Sequence, residues 1–181
     1  PRKGLMTKPQ TLNRYIYALN NPIRYIDPDG LFSQEEINNA FKVYKEYLSH
    51  NTIYKWGGKD YGKEYKVIDC AGLVAQMYPE YFRPGFTKVG DDWYSYEIFR
   101  EFGADTMYVE SEKVQLNELQ KGDLIFFYNS KDEIGHVGVV SQKDDQGNIT
   151  FVHAVGGNIK KVTESTIKST DLQFGKVAGY G

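Results

Sequence analysis

The apolar residues of this chain change their period partway along, and that change limits the fold more than any single residue does. Between residues 33 and 49, Ile37, Phe41, Tyr44 and Leu48, with Ala40 and Tyr47 alongside, recur at helical spacing and form one stripe. Ser33-Gln34-Glu35-Glu36 is a capping box: the Ser33 hydroxyl accepts from the Glu36 amide and the Glu36 carboxylate reaches back. From residue 124 onward the period is that of strands. Segments 124–128, 136–141 and 149–154 are β-rich, and 177–180 reads as a last short strand. Asn129-Ser130-Lys131-Asp132 and Asp144-Asp145-Gln146-Gly147-Asn148 supply the turns between them. Helices first and an antiparallel meander second is an α+β order, with the helices packed on the sheet.

Shorter signals lie between these two regimes. Tyr54-Lys55-Trp56-Gly57-Gly58 leads into a polar Lys/Gly/Tyr loop that runs to Lys66. A short helix is predicted from Cys70 through about Tyr78. Asp91-Asp92 predicts a cap for a further helix to about Phe102, with Trp93, Tyr96 and Phe99 on one face. Leu116-Asn117-Glu118-Leu119 reads as a single turn before Lys121-Gly122-Asp123.

The first 31 residues follow a different pattern. Residues 11–22 read as a short strand ending in a turn, and Ile23-Arg24-Tyr25-Ile26 as a second, closed by the turn signal Asp27-Pro28-Asp29-Gly30. Two short strands with so little apolar content cannot form a core alone; they need a larger sheet. The predicted organisation is therefore an appendage over residues 1–31 and one domain over 32–181, within what 181 residues can bury.

Charge narrows the function classes. The formal charge is −2 overall and −5 over residues 32–181, where no basic stripe with interleaved aromatics occurs, so nucleic acid is not expected as the partner. No run approaches 18 apolar residues, so no membrane span is expected. The N-terminus has no charged-then-apolar signal pattern, and export would need another route. One cysteine excludes an internal disulfide, and with three histidines it makes no zinc set at familiar spacing; no metal or other cofactor is expected.

That cysteine, Cys70, sits where Val67-Ile68 turns into the small-residue helix start Asp69-Cys70-Ala71-Gly72. Asp69 reads as an N-cap, which puts Cys70 in the first turn. There, free amides and the helix dipole favour a thiolate, and the Cys70 amide can face a developing oxyanion. His136 follows Gly135 at the start of one strand run, and His153 lies inside another. A thiol, a base and a group that orients the base are the parts of a nucleophilic triad. Each has a plainer reading too: Cys70 as a small core residue, His136 at a strand edge, His153 as a satisfied core histidine. His50, after the first helix, reads as a complement to its C-terminal dipole.

Five blocks occur in the order seen in the NlpC-type cysteine peptidases: Tyr54–Gly58, Asp69-Cys70-Ala71-Gly72-Leu73-Val74, residues 119–127, His136-Val137-Gly138-Val139-Val140 and Phe151-Val152-His153-Ala154. Residues 33–181 thus resemble that family, which is papain-like in its core and cleaves peptide bonds in bacterial cell-wall stems. The resemblance implies Cys70 as nucleophile, His136 as base and His153 as third member, with Tyr54 lining the cleft and, beside Asp69, serving the substrate and oxyanion site. Ala71 departs from the family's usual serine, and the Lys/Asp-rich turn before His136 bears on substrate preference. Papain-like toxin domains can also deamidate, transfer acyl groups or cut cytosolic proteins, and the motifs do not separate these alternatives. A non-enzymatic plug or binding module stays open as well.

Residues 11–31 resemble the closing segment of the Rhs-repeat core of polymorphic toxins, and residues 22–31, Pro-Ile-Arg-Tyr-Ile-Asp-Pro-Asp-Gly-Leu, match its terminal Pro-x-x-x-x-Asp-Pro-x-Gly-Leu pattern. That resemblance implies self-cleavage after Leu31 with Asp27 as a cleaving residue, an Rhs shell on the parent chain, and a released antibacterial effector. It also implies a cognate immunity protein as partner, and action after secretion or injection into a target bacterium, at the periplasm or cell wall.

Overall fold

The computed structural model of the protein describes residues 32–60, 63–79, 86–89, 92–95, 103–171 and 177–181. The two short strands expected within residues 11–26, the turn that follows them, and Asp27 and Leu31 lie outside these. By contacts the chain divides into two units, Pro1–Asn38 and Asn39–Gly181, each taken by itself.

Helix α1 spans Gln34–Ser49 and opens on the expected capping box. The Glu36 amide donates to Ser33 Oγ at 3.2 Å and the Ser33 amide to Glu36 Oε2 at 2.8 Å. Its buried stripe is narrower than the periodicity implied: Ala40, Tyr44 and Tyr47 are buried, whereas Leu48 is exposed. His50 follows the helix, its Nδ1 2.7 Å from the Glu46 carbonyl, in the C-terminal position expected of it.

A sheet of seven strands carries the domain. In chain order they are β1 (Ile53–Tyr54), β2 (Val67–Ile68), β5 (Leu124–Tyr128), β6 (Ile134–Lys143), β7 (Ile149–Val155), β8 (Lys161–Ile167) and β9 (Val177–Tyr180). Their spatial order is β2-β1-β8-β7-β6-β5-β9, antiparallel except for the β1–β2 pair. Both faces are filled: Phe126, Val137, Val139 and Val152 are fully buried on one, Ile125, Val140 and Ile149 on the other. Helix α2 (Cys70–Met77) packs against β6 and β7, and all eight of its residues are buried. Helix α3 (Ala104–Glu110) also packs on β6, with the Tyr108 ring edge-on to Phe126. The architecture is α+β, as the change of period required.

Several elements differ from the sequence expectation, among them helix α3, which was not expected. The helix expected from Asp91-Asp92 is not formed: Asp92–Ser95 is strand β4, paired with β3 (Phe86–Val89). Trp93 and Tyr94 favour a pleated strand, and only Gly90 and Asp91 separate the pair in sequence, which is hairpin chemistry. Residues 96–102 lie outside the described set. Strand β8 was not expected, because Lys161-Val162-Thr163-Glu164-Ser165-Thr166-Ile167 buries only Val162 fully and alternates weakly. Strand β6 begins two residues earlier than the pattern suggested, so His136 is inside the ladder, opposite Phe127.

Candidate active site

Cys70 is the first residue of α2, and the chain is shaped to put it there. Asp69 is the N-cap: its backbone is extended, and its Oδ1 accepts from the Gly72 amide at 2.6 Å. The same carboxylate is held by Lys59 Nζ at 3.0 and 2.9 Å, in a pair whose side chains are mostly buried. The Tyr54–Gly58 block docks directly on this turn. The Asp69 amide donates to the Gly58 carbonyl at 2.7 Å, and a Cβ at Gly72 would lie 2.4 Å from that oxygen. The two sequence blocks are therefore one piece of structure, in which backbone meets backbone too closely for any side chain at 72. Buried Gln76 donates to the Lys59 carbonyl at 2.8 Å and fixes the loop that carries the lysine.

Asp69 thus caps and pairs. An ionised carboxylate offers acceptors only, so the part it can take at an oxyanion site is to hold the helix start whose amides donate. Lys59 and Gln76 were not singled out in the sequence; the signal for the lysine was its place directly after Gly58, one loop away from a cap that needed a counter-charge.

The backbone amides of Ala71 and Val137 favour negative charge on the Cys70 sulfur. The second lies on β6, one of the two strands against which α2 packs. Both amides and Lys59 favour a thiolate, as expected of a helix start. Burial of the residue, only 5% exposed, and the Asp69 charge oppose them and prevail. The thiol is pushed up, not down: the resting group is the neutral thiol.

Tyr54, half-buried on β1, is pushed up to about 12 by burial and by the proximity of Cys70 and Asp69. Its phenol remains a hydroxyl donor beside the thiol across the physiological range.

The two histidines come from neighbouring strands. His136 Nε2 and His153 Nδ1 are 2.7 Å apart, with ring centroids 5.0 Å apart and the rings nearly perpendicular. Gly138 shares the His136 face of β6, and a Cβ there would stand 2.7 Å from the Phe151 ring and 3.4 Å from His153 Cβ. The missing side chain lets the imidazoles meet. Phe127 and Phe151 pack beside them, at centroid distances of 5.7 Å to His136 and 4.7 Å to His153. In these surroundings burial lowers His136 to about 4, and burial with His136 nearby lowers His153 to about 3. Both rings are neutral at pH 7. His153 Nε2 reaches Ser165 Oγ on β8 at 2.9 Å, a contact that the weak alternation of β8 hides in the sequence.

The structure therefore assembles Tyr54, Asp69 and Cys70 at one corner, joins His136 to His153, and packs α2 against the two strands that carry the histidines. A neutral thiol with neutral imidazoles suits deprotonation during attack rather than a standing ion pair. Among the described residues no group of three or more His, Cys, Asp or Glu side chains is placed to hold a metal ion. Nor is any helix long and apolar enough to cross a membrane.

Residues 51–175 match the model of the NlpC/P60 family. Among solved structures, the chain is similar to a Staphylococcus aureus subsp. aureus Mu50 protein described as similar to lipoprotein, NLP/P60 family. The identity is 21%, with 83% of this chain and 42% of that one covered, at a TM-score of 0.54. It is also similar to an NlpC/P60 family protein from Bacillus cereus ATCC 10987, at 20% identity, with 80% and 39% covered and a TM-score of 0.50. The chain spans about two-fifths of the length of each, and at these identities the likeness is one of fold. No curated protein matches the chain.

Proposed function

The chain belongs to the NlpC/P60 family, whose members are generally cysteine peptidases or amidases acting on peptidoglycan, and we propose that it hydrolyses amide bonds in peptidoglycan stem peptides. One observation carries the reading. The His136 ring is hydrogen-bonded to His153 on the two strands against which α2, the helix that opens on Cys70, packs.

In this reading His136 takes the Cys70 proton as the sulfur adds to the stem carbonyl. The carbonyl oxygen becomes an oxyanion, served by the Cys70 amide and the Tyr54 hydroxyl. As the intermediate collapses, the C–N bond breaks and His136 returns the proton to the leaving amine, which leaves a thioester on Cys70. Water, deprotonated by His136, then attacks the thioester; the acid departs and the thiol is restored. His153 orients His136 throughout, as the third member of a triad. The chemistry calls for no cofactor.

The Rhs-like pattern of residues 22–31 extends the proposal: the domain from Phe32 onward is the effector of a polymorphic toxin, freed by a cut between Leu31 and Phe32 that uses Asp27. The support for this step is the sequence pattern alone. A cleft-blocking immunity protein and action in the periplasm or wall of a target bacterium follow from it.

The reading is tested by directing residues 32–181 to the periplasm or to the cytosol of a test bacterium. Lysis confined to periplasmic delivery and abolished by Cys70→Ala is expected. Toxicity confined to the cytosol would move the target to a cytosolic protein, and toxicity retained by Cys70→Ala would remove the thiol mechanism.

A further inference from the structure

We infer that Ser165 is a positioning residue: its hydroxyl accepts the His153 Nε2 proton and so holds the histidine pair in the one tautomer that leaves His136 Nδ1 bare. The inference rests on the proposed role of His136 as base and adds what sets that base in its working form.

The argument is a count of protons along a chain of three groups. His136 Nε2 is 2.7 Å from His153 Nδ1, and His153 Nε2 is 2.9 Å from Ser165 Oγ. Each neutral imidazole carries one N–H, and only one proton fits between the rings. In the first arrangement His136 Nε2–H donates to His153 Nδ1; His153 must then carry Nε2–H, which donates to Ser165. His136 Nδ1 keeps its lone pair. In the second every bond reverses: Ser165 donates to His153 Nε2, His153 Nδ1–H donates to His136 Nε2, and His136 carries its proton on Nδ1.

Only the first can accept a proton from a thiol through Nδ1. It is also the better satisfied. Among the described residues the His136 ring makes its hydrogen bond through Nε2, so the second arrangement leaves its Nδ1–H with no acceptor better than the Cys70 sulfur that the proposed mechanism sets opposite it, a weak one. Unpaired buried donors are rarer and costlier than bare acceptors. In the first arrangement the hydrogen left over is that of Ser165, which is half-buried on β8 and can turn it toward water.

Removing the hydroxyl erases this preference. In Ser165→Ala the first arrangement would strand His153 Nε2–H just as the second strands His136 Nδ1–H, and the two become comparable. One lost neutral hydrogen bond corresponds to a shift of roughly threefold to tenfold in the tautomer ratio; with the two forms then about equal, the competent fraction, and turnover with it, falls by about twofold at most. Threonine at 165 keeps the hydroxyl on a strand that tolerates a branched side chain.

The test is the ring-nitrogen NMR spectrum of histidine-labelled, resting protein at pH 7, which needs no substrate. Wild type is expected to show both His136 and His153 protonated on Nε2. Ser165→Ala is expected to show His136 Nδ1–H appearing, and Ser165→Thr to restore the wild-type pattern. A wild-type His136 protonated on Nδ1, or a Ser165→Ala spectrum unchanged at both rings, would overturn the inference. Should the tautomer shift appear while the rate of Cys70-dependent amide cleavage stays constant, Ser165 stands as the selector and the assignment of His136 as base falls.

Discussion

The thiol corner and the histidine strip are built by different physics. The corner is local: within 22 residues, 54–75, a glycine loop docks on a helix start, a carboxylate caps it and a lysine balances the carboxylate. The strip is assembled across three strands, from residues 136, 153 and 165, and its order comes from register, an absent side chain at Gly138 and a neutral hydrogen-bond chain. One region manages charge; the other excludes it. Each is inert alone, because a buried neutral thiol needs a base and an imidazole pair needs something to deprotonate. The proposed chemistry therefore depends on the seam where α2, which carries Cys70, packs on β6, which carries His136.

If the regions form one machine, damage to either should cost about the same, and damage to both should cost little more. Cys70→Ala and His136→Ala are each expected to lower amide cleavage by about 10³-fold or more, with the double variant close to the worse single one. Rate losses that multiply would break the comparison, since the regions would then act independently.

The next effect separates them. Asp69→Ala is expected to cost about 3 kcal/mol of stability in denaturant unfolding, because it removes a cap and breaks the mostly buried ion pair with Lys59. Restoring only the cap, with Asp69→Asn, should recover part of that loss. Tyr54→Phe removes a hydroxyl donor from the same corner, and a fall in kcat of about 10²-fold with stability little changed is expected. A loss confined to KM would make Tyr54 a binding residue only.

The smallest effect is graded with pH and divides cleanly between the regions. His136 and His153 are lowered on folding, so the unfolded chain takes up their protons first. Stability is therefore full above the ordinary histidine value near 6.5 and falls as the solution is acidified through about 4 and about 3. Cys70 and Tyr54 are raised, so their contribution is full below the ordinary thiol range and is lost as pH rises beyond it. Thermal unfolding across pH should show His136→Asn flattening the acid limb and Cys70→Ala part of the alkaline limb. The acid limb of kcat/KM should likewise fall near about 4, the free-enzyme value of the base.

The two regions were also unequally legible. The corner's parts stand close together in the chain, so Asp69 as cap and Cys70 in the first turn could be read from spacing and side-chain chemistry. What spacing missed was the balance of forces on the thiol: a helix start argues for a thiolate, and only burial and the Asp69 charge reverse it. In the strip, His136 and His153 were visible because they interrupt apolar runs. Ser165 was not, since β8 is mostly polar and its strand character comes from pairing with β7. Residues 92–95 failed for the opposite reason: Asp91-Asp92 resembled a helix cap, but the aromatic pair behind it went into a hairpin.

The central claim is that the seam between corner and strip hydrolyses stem-peptide amides. Digestion of purified muropeptides with residues 32–181, with the products weighed by mass spectrometry, tests it most directly. The expected result is a new pair of fragments whose masses sum to the substrate plus one water, absent when Cys70→Ala or His136→Ala replaces the wild-type domain. Intact muropeptides after prolonged digestion, or the same fragments from the Cys70→Ala domain, would contradict it.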